Sequence, residues 1–580
     1  SKLFALAMFT IRTLAIAIGL FIMFSLPAQE RKVVLGKVPA EDLAMKEFPG
    51  DTTVDAYVLH HKYDMHFEEY GGGFALFQDT HRRIKLFKRS SFDRADVELY
   101  YWPEYENISK LKAVITLPSG EKIELKGKDF IKENYTDELK VIKFTFPQVT
   151  EGAVIEYSYR TIDEAYTILP KFHFMEDIPV RWAEYKVRIP GYFNYVSLSN
   201  AYANWTINES DIGNANFGGQ NIRENRIRKV MADVPAYRDE PYTNNFDDFL
   251  PQIHMQLSSV KFPLQPLEPV LKDWPTIAKD LSTWESFGRS YNNRGDVKSA
   301  LEELEPQLVE LSSPLAKAEL AYREIGKHMS WNGKYRVFPD ARLNECWKKA
   351  TGTSAEINMI LLGVLRTMDI DAQPLLVSLR DEGAPIEYYP VMSQFRHLMV
   401  YATIEDKGYI MDIGNIHRPL GVPRFAALNG RGWVADPDNP RWVNVVAPKV
   451  TRTTLANISL DEEGIADVDL KTRVTGFMAY EGRNSLADLE KDEDGPVMED
   501  IIEVYPEAEF VEREVPEADD SYSPLSINLA AKVPLGYPAD DYFYVSPMAY
   551  YPLEEEIVDV EERIAPIDMV IPGRSVISLK

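Results

Sequence analysis

Gly352-Thr353-Ser354-Ala355-Glu356-Ile357-Asn358 opens a stretch that continues Met359-Ile360-Leu361-Leu362-Gly363-Val364-Leu365-Arg366-Thr367-Met368. Apolar positions at 357, 360, 361, 364, 365 and 368 recur at offsets of three and four, which predicts one helix with a single apolar stripe. Thr353 and Glu356 fit the two halves of a capping box, which makes Ser354 the first helical residue. Upstream, 296–311 and 314–329 also carry helical spacing, the second with Ser313 as N-cap and Pro314 at the first helical position. Downstream, 373–379, 398–404 and 409–412 read as strands, and the turn at 405–408 makes the last two a hairpin. Helices first and antiparallel strands after them is an α+β order. A turn centred on Asp406-Lys407 pairs Ile404 with Tyr409 and sets Asp412 opposite Tyr401. That leaves roughly 13 Å of strand between Asp412 and a partner of His397.

On either side the pattern is β. From 33 to about 245, runs such as 84–87, 113–117, 141–146 and 154–159 alternate or carry β-branched and aromatic residues. Pro118-Ser119-Gly120 and Glu151-Gly152 punctuate them. Strands at this spacing without long helices predict an antiparallel sandwich or barrel. From 450 onward the chain is β again, with 30 Asp and Glu against 10 Lys and Arg, most of the net −26 of the 580-residue chain. The reading divides it into a signal peptide at 1–29, a β-sandwich at 30–245, an α+β core at 246–449 and an acidic β domain at 450–580. Ser575-Val576-Ile577-Ser578-Leu579-Lys580 alternates like the middle of a strand and no initiating Met is present, so a fragment at both ends is expected.

Composition closes several routes. A chain with pI ≈ 4.9 is a poor partner for nucleic acid, whose phosphates need clustered Lys and Arg. One cysteine, Cys346, excludes a disulfide framework, a Cys-rich zinc site and an iron–sulfur cluster. Lys2 and Arg12, the apolar run 14–26, and then Pro27-Ala28-Gln29 have the three-part layout of a secretory leader. The run is short of the roughly 20 residues that span a bilayer, so no transmembrane helix is expected in the mature chain. Asn107, Asn204, Asn208 and Asn457 stand in N-x-Ser/Thr triplets, a short pattern that often arises by chance. The acidic stretches 490–494 and 554–556 read as solvated faces; Asp492-Glu493-Asp494-Gly495 lacks the EF-hand spacing that would suit calcium.

The chemistry-bearing set is Ser354 at a helix start, His397 at a strand start after Phe395-Arg396, and Asp412 ending Tyr409-Ile410-Met411. A nucleophile, a His and an Asp in that order suit a mechanism in which His takes the nucleophile's proton and Asp orients the ring. The segment 340–415 resembles the transglutaminase-like core. The wider chain, about 35–580, resembles Gram-negative envelope proteins that join an N-terminal domain of unknown function 3857, such a core and a C-terminal β domain. Ile178-Pro179-Val180, Phe146-Pro147 with Glu151-Gly152, and Pro374-Leu375-Leu376-Val377-Ser378-Leu379-Arg380 carry that wider likeness. It implies a multidomain α+β fold: an N-terminal antiparallel β-sandwich, a papain/transglutaminase-like core and a truncated C-terminal β-sandwich.

Where the family's enzymes carry Cys, this chain has Ser354. A helix N-terminus stabilises a thiolate, but a hydroxyl depends wholly on a base and an oxyanion hole, and it forms no thioester. The expectation is therefore a catalytically degenerate binding or scaffolding protein of the periplasm or outer envelope. Its ligand would be a protein, peptide or envelope polymer, with no cofactor and no metal. The alternative is a serine-dependent hydrolase or amidase using Ser354, His397 and Asp412. Each residue also has a purely structural reading: Ser354 inside a capping box, His397 packed on a strand face with Met399 and Tyr401, Asp412 in a turn. Cys346, beside Trp347-Lys348-Lys349, reads as packed. His60, His61, His66 and Asp64 match no strong metal spacing. A further reading places function on the β domains, with Trp102, Trp182 or Trp205 as an exposed aromatic platform.

Overall fold

The computed structural model describes residues 33–488, 506–545 and 563–579, apart from 137, 199–202, 218, 239, 415–417, 517–519, 522, 540–541, 569 and 572. The leader at 1–29 and the acidic stretches at 490–494 and 554–556 lie outside them. The chain is a multidomain, strand-rich mixture of α and β. It packs as two compact units, one from the chain up to residue 239 with Phe249–Leu271, the other from Glu240–Asp248 with Lys272 onward. No described helix is long and apolar enough to cross a membrane.

The first unit is built on an eight-stranded sheet. Its order is Ile207–Phe217, Gln220–Val234, Val180–Pro190, Ala56–Tyr70, Gly73–Leu86, Val154–Asp163, Glu106–Thr116 and Lys122–Glu124. Neighbours run antiparallel except the central pair Ala56–Tyr70 and Val180–Pro190, which is parallel. A wholly antiparallel sheet was the sequence expectation, and this pair corrects it. Parallel partners need a long crossover, and here the crossover contains further strands of the same sheet, so no short turn signals the pairing. A second sheet, with Phe193–Ser197, Gln252–Val260 and Ile168–His173, shares one apolar core with the first through Leu169, Phe172, Phe193, Ile253 and Leu257.

The second unit is organised around the helix Ser354–Thr367. The sequence predicts a single buried stripe, yet every residue from Ser354 to Leu365 is buried. The cause is packing on all sides: the strands His397–Ile404 and Asp371–Val377 on one, the helices Gly288–Asn292, Lys298–Leu308 and Pro314–His328 on others. Between Glu356 and Arg366 the helix carries no charge, as a helix without a solvent face must. Gly363 marks its tightest approach: a Cβ there would lie 2.7 Å from Val297 Cγ1 and 3.1 Å from the Tyr291 carbonyl.

The sheet against this helix is antiparallel, in the order Lys407–Met411, His397–Ile404, Asp371–Val377, Gly430–Val434 and Arg441–Val445. Its hairpin turn falls one residue earlier than the sequence suggests, on Glu405 and Asp406, whose φ values are 51° and 62°. Two left-handed residues are what a tight type I′ turn requires. Ile404 therefore faces Lys407 rather than Tyr409, and Val400 faces Met411. Gly408 sits in the strand, where any side chain would run into the Tyr401 hydroxyl. Beyond this sheet, Val450–Leu460, Ile465–Val474, Leu525–Pro534 and Glu509–Glu514 form another, with Gly573–Leu579 parallel to Val450–Leu460. An apolar cluster of Met399, Val434, Val450, Val474 and Phe477 runs across position 450.

Gly363→Ala tests the tight crossing. Alanine gains about 1 kcal/mol of helix propensity, but overpacking costs about 1–3 kcal/mol. The expected outcome is a lower urea midpoint for this unit; a raised midpoint would show that Val297 gives way.

Candidate functional site

Three local rules place the candidate residues. Thr353 accepts from the Glu356 amide at 3.4 Å, and Glu356 reaches back to the Thr353 amide at 2.7 Å, completing the capping box. The second Glu356 oxygen accepts from the amides of Asp340 at 2.9 Å and Ala341 at 2.7 Å, so a buried carboxylate is satisfied by three backbone donors. Asp412 leaves the strand ladder just after Met411, and the shifted register puts it opposite Met399 rather than Tyr401. From there its Oδ1 reaches His397 Nε2 at 3.1 Å. That two-residue slip halves the distance inferred from sequence, and the two side chains span the rest.

Ser354, His397 and Asp412 are thus drawn to one place, and all are closed from solvent at 0%, 0% and 1% exposure. They do not form one chain of hydrogen bonds. The Ser354 hydroxyl accepts from the Arg336 amide at 2.9 Å and donates to the Arg336 carbonyl at 3.3 Å. The Ser354 amide donates to the Lys334 carbonyl at 3.1 Å, and the Arg336 carbonyl also takes the Leu398 amide at 3.2 Å. Backbone 334–336 therefore lies across the helix start and the beginning of the His397 strand. Tyr335 sets its ring edge-on to the imidazole, centroids 5.4 Å apart. Nδ1 of His397 has no hydrogen-bond partner among the described residues.

Sequence reasoning missed the groups that dominate the electrostatics. Arg424 donates to Asp412 from its amide at 3.0 Å, Nε at 2.8 Å and Nη2 at 2.8 Å. Its guanidinium lies 4.8 Å from the Trp331 ring and 5.3 Å from the Tyr335 ring, within cation–π range. Arg418 stands 3.9 Å from Asp412 and donates to the Tyr480 hydroxyl at 2.6 Å. Asn358 donates to the Leu398 carbonyl at 2.9 Å and accepts from the Ile413 amide at 3.0 Å, stitching the helix to both strands. Asn358 was findable, four residues from Ser354 on the same helical face; Arg424 and Arg418 sit in loops with no local signal.

These charges fix the protonation states. Burial opposes ionisation of Asp412, but Arg424, then His397 and Arg418, outweigh it and hold the carboxyl well below its ordinary value. Burial drives His397 below its ordinary value; Asp412 pulls the other way, while Arg424 and Arg418 add to the depression. A base must accept a proton in the transition state, and the carboxylate beside it normally stabilises the resulting imidazolium. Here burial is the largest influence and outweighs the pull of Asp412, so the ring takes up a proton less readily than a free imidazole. Burial, reinforced by neighbouring Glu356, pushes the Cys346 thiol up to about 12; it is a packed thiol beside Glu356, not a thiolate.

The remaining candidates scatter. In the strand Ala56–Tyr70, His61 and Arg82 both hold Glu176, His66 pairs with Glu68 at 2.8 Å, Asp64 pairs with Lys62 at 3.2 Å, and burial drives His60 down to about 2. No group of three or more possible metal ligands occurs among the described residues. Trp182 is buried with its N–H on Glu184, and Trp205 packs edge-on against Phe174 under Lys229. Trp102 is exposed and stacked with Tyr105.

Residues 78–216 match the family described as a domain of unknown function with solved structure, DUF3857. No curated protein matches the chain. Among solved structures, a crystal structure from Parabacteroides distasonis named a "putative protease" aligns with 83% of this chain and 93% of its own, at 11% identity and TM-score 0.49. Leukotriene A4 hydrolase from Saccharomyces cerevisiae aligns with 40% of this chain and 35% of its own, at 12% identity and TM-score 0.18.

Two measurements check the charge cluster. His397 and Asp412 both bind protons less readily folded than unfolded, so the unfolded chain takes up more protons and stability falls as pH drops. The His397 contribution sets in as pH falls below about 6.5 and the Asp412 contribution in the carboxylate range. His397→Gln should flatten the first part of the urea-midpoint profile. Arg424→Met should destabilise the unit by about 3–5 kcal/mol by orphaning a buried charge. In the same variant the His397 titration, followed by NMR, should move up in pH.

Proposed function

We propose that this is an exported protein of a Gram-negative cell envelope, periplasmic or on the outer envelope. In this reading a β-sandwich at 30–245 carries a papain- and transglutaminase-like core at 246–449 and an acidic β-sandwich at 450–580. The core binds or scaffolds a protein, peptide or envelope polymer and has lost acyl transfer. One observation carries the reading: the hydroxyl at the nucleophile position commits its one O–H to the Arg336 carbonyl and also accepts from the Arg336 amide. General-base activation requires that hydroxyl within hydrogen-bond reach of the imidazole. The two guanidiniums around Asp412 add to the argument, since they disfavour the imidazolium that any serine or cysteine mechanism must form.

The hydrolase reading retains one point in its favour. His397 keeps Nε2 on Asp412 and Nδ1 without a partner, which is the arrangement a base needs. Displacing residues 334–336 would then have to free Ser354.

The two readings separate on Ser354→Ala. For a structural serine, the purified chain and the variant both hydrolyse peptide anilides and incorporate amines at background rates. The variant loses about 1 kcal/mol of stability because the partly buried Arg336 amide gives up its partner. Ser354→Cys is likewise silent, since burial leaves the imidazole a weak acceptor for the thiol's proton. Hydrolysis by the unmodified protein that disappears in Ser354→Ala would overturn the proposal.

A further inference from the structure

Away from the core, the first unit holds a cavity of about 660 Å³, within the range that accommodates small organic ligands. Its lining includes the carboxylates of Asp51, Asp55, Asp177 and Asp233, and Arg238 is the one Lys or Arg among the lining residues. Phe48 and Tyr57 contribute an aromatic wall, their rings edge-to-face at 5.0 Å.

The lining groups are unequally committed. Asp51 accepts from Thr53 at 2.6 Å, Asp55 from Ser90 at 3.0 Å, and Asp177 from Arg94 at 2.6 Å. Asp233 has no hydrogen bond or ion pair among the described residues; the nearest cation acting on it, Arg181, is already held by the buried Asp42. Tyr57 is 7% exposed, yet its hydroxyl has no hydrogen-bond partner among the described residues. That oxygen is not sealed in the core, so it is open to a polar group in the cavity. Burial, and after it the charge of Asp233, pushes Tyr57 up to about 12, so it stays a neutral hydroxyl near the Asp233 carboxylate.

We propose that this cavity binds the side chain of a basic peptide segment, an ammonium or guanidinium on an apolar stem. The cationic head would be taken by Asp233 and the Tyr57 hydroxyl, and the stem would lie along the wall of Phe48 and Tyr57. A bare metal ion is a poorer match, because the four carboxylates form no cluster of ligands and the aromatic wall offers it nothing. The cation is matched by the exposed carboxylate and by the ring faces. The site stands independently of how Ser354 is read.

The experiment is calorimetric titration of the full chain with Nα-acetyl-lysinamide and Nα-acetyl-argininamide, with Nα-acetyl-norleucinamide as the uncharged counterpart. Saturable binding of at least one cation is expected, weakening with added salt and absent for norleucinamide. Asp233→Asn, at an exposed position, should weaken binding at least tenfold with an unchanged melting temperature, and Tyr57→Phe at least fivefold. Absence of saturable binding to both cations, equal binding of norleucinamide, unaltered affinity in Asp233→Asn, or displacement by stoichiometric calcium would each overturn the proposal.

Discussion

A helix with no solvent face must satisfy its first turn from within the protein, since water cannot reach the free amides. In Ser354–Thr367 this requirement is met by Thr353, by Glu356 and by the Lys334 carbonyl. The same Glu356 anchors the amides of Asp340 and Ala341, and the Ser354 hydroxyl takes the Arg336 amide. Satisfying the buried helix end therefore draws the preceding segment across the helix start and the beginning of the His397 strand. The closed state of the site follows from the burial of the helix.

The electrostatics share that origin. Placing Asp412 at the end of a strand facing the helix puts a carboxylate where desolvation is severe, and a buried charge needs compensation. Arg424 supplies it with three donors, and the aromatic faces of Trp331 and Tyr335 cover the guanidinium. Asp412 still draws a proton toward His397 more strongly than Arg424 opposes it, and burial of the ring outweighs that pull.

The parts of this architecture written locally were legible in the sequence. The capping box, the Ser313 cap and the order of helices and antiparallel strands depend on residues within a few positions of one another, and they appear as read. The hairpin was misplaced because Glu405-Asp406 is a weak turn signal beside Gly408, whose small size serves Tyr401 instead. Ser354, His397 and Asp412 were singled out in the sequence and all three are buried, but their relations were not legible. Whether a hydroxyl meets an imidazole or a backbone amide depends on residue 336, and the charge on the ring depends on Arg424. Neither is adjacent in sequence to what it controls.

The parallel pairing of Ala56–Tyr70 with Val180–Pro190 bears on how the first unit is made. During synthesis, Ala56–Tyr70 and Gly73–Leu86 emerge together and can zip up at once, but the other flank of Ala56–Tyr70 waits for more than a hundred further residues. Non-local pairing of this kind is slow, and an open strand flank is a template for mispairing. A nascent chain of this unit is thus a natural client for a holding chaperone until its late strand arrives.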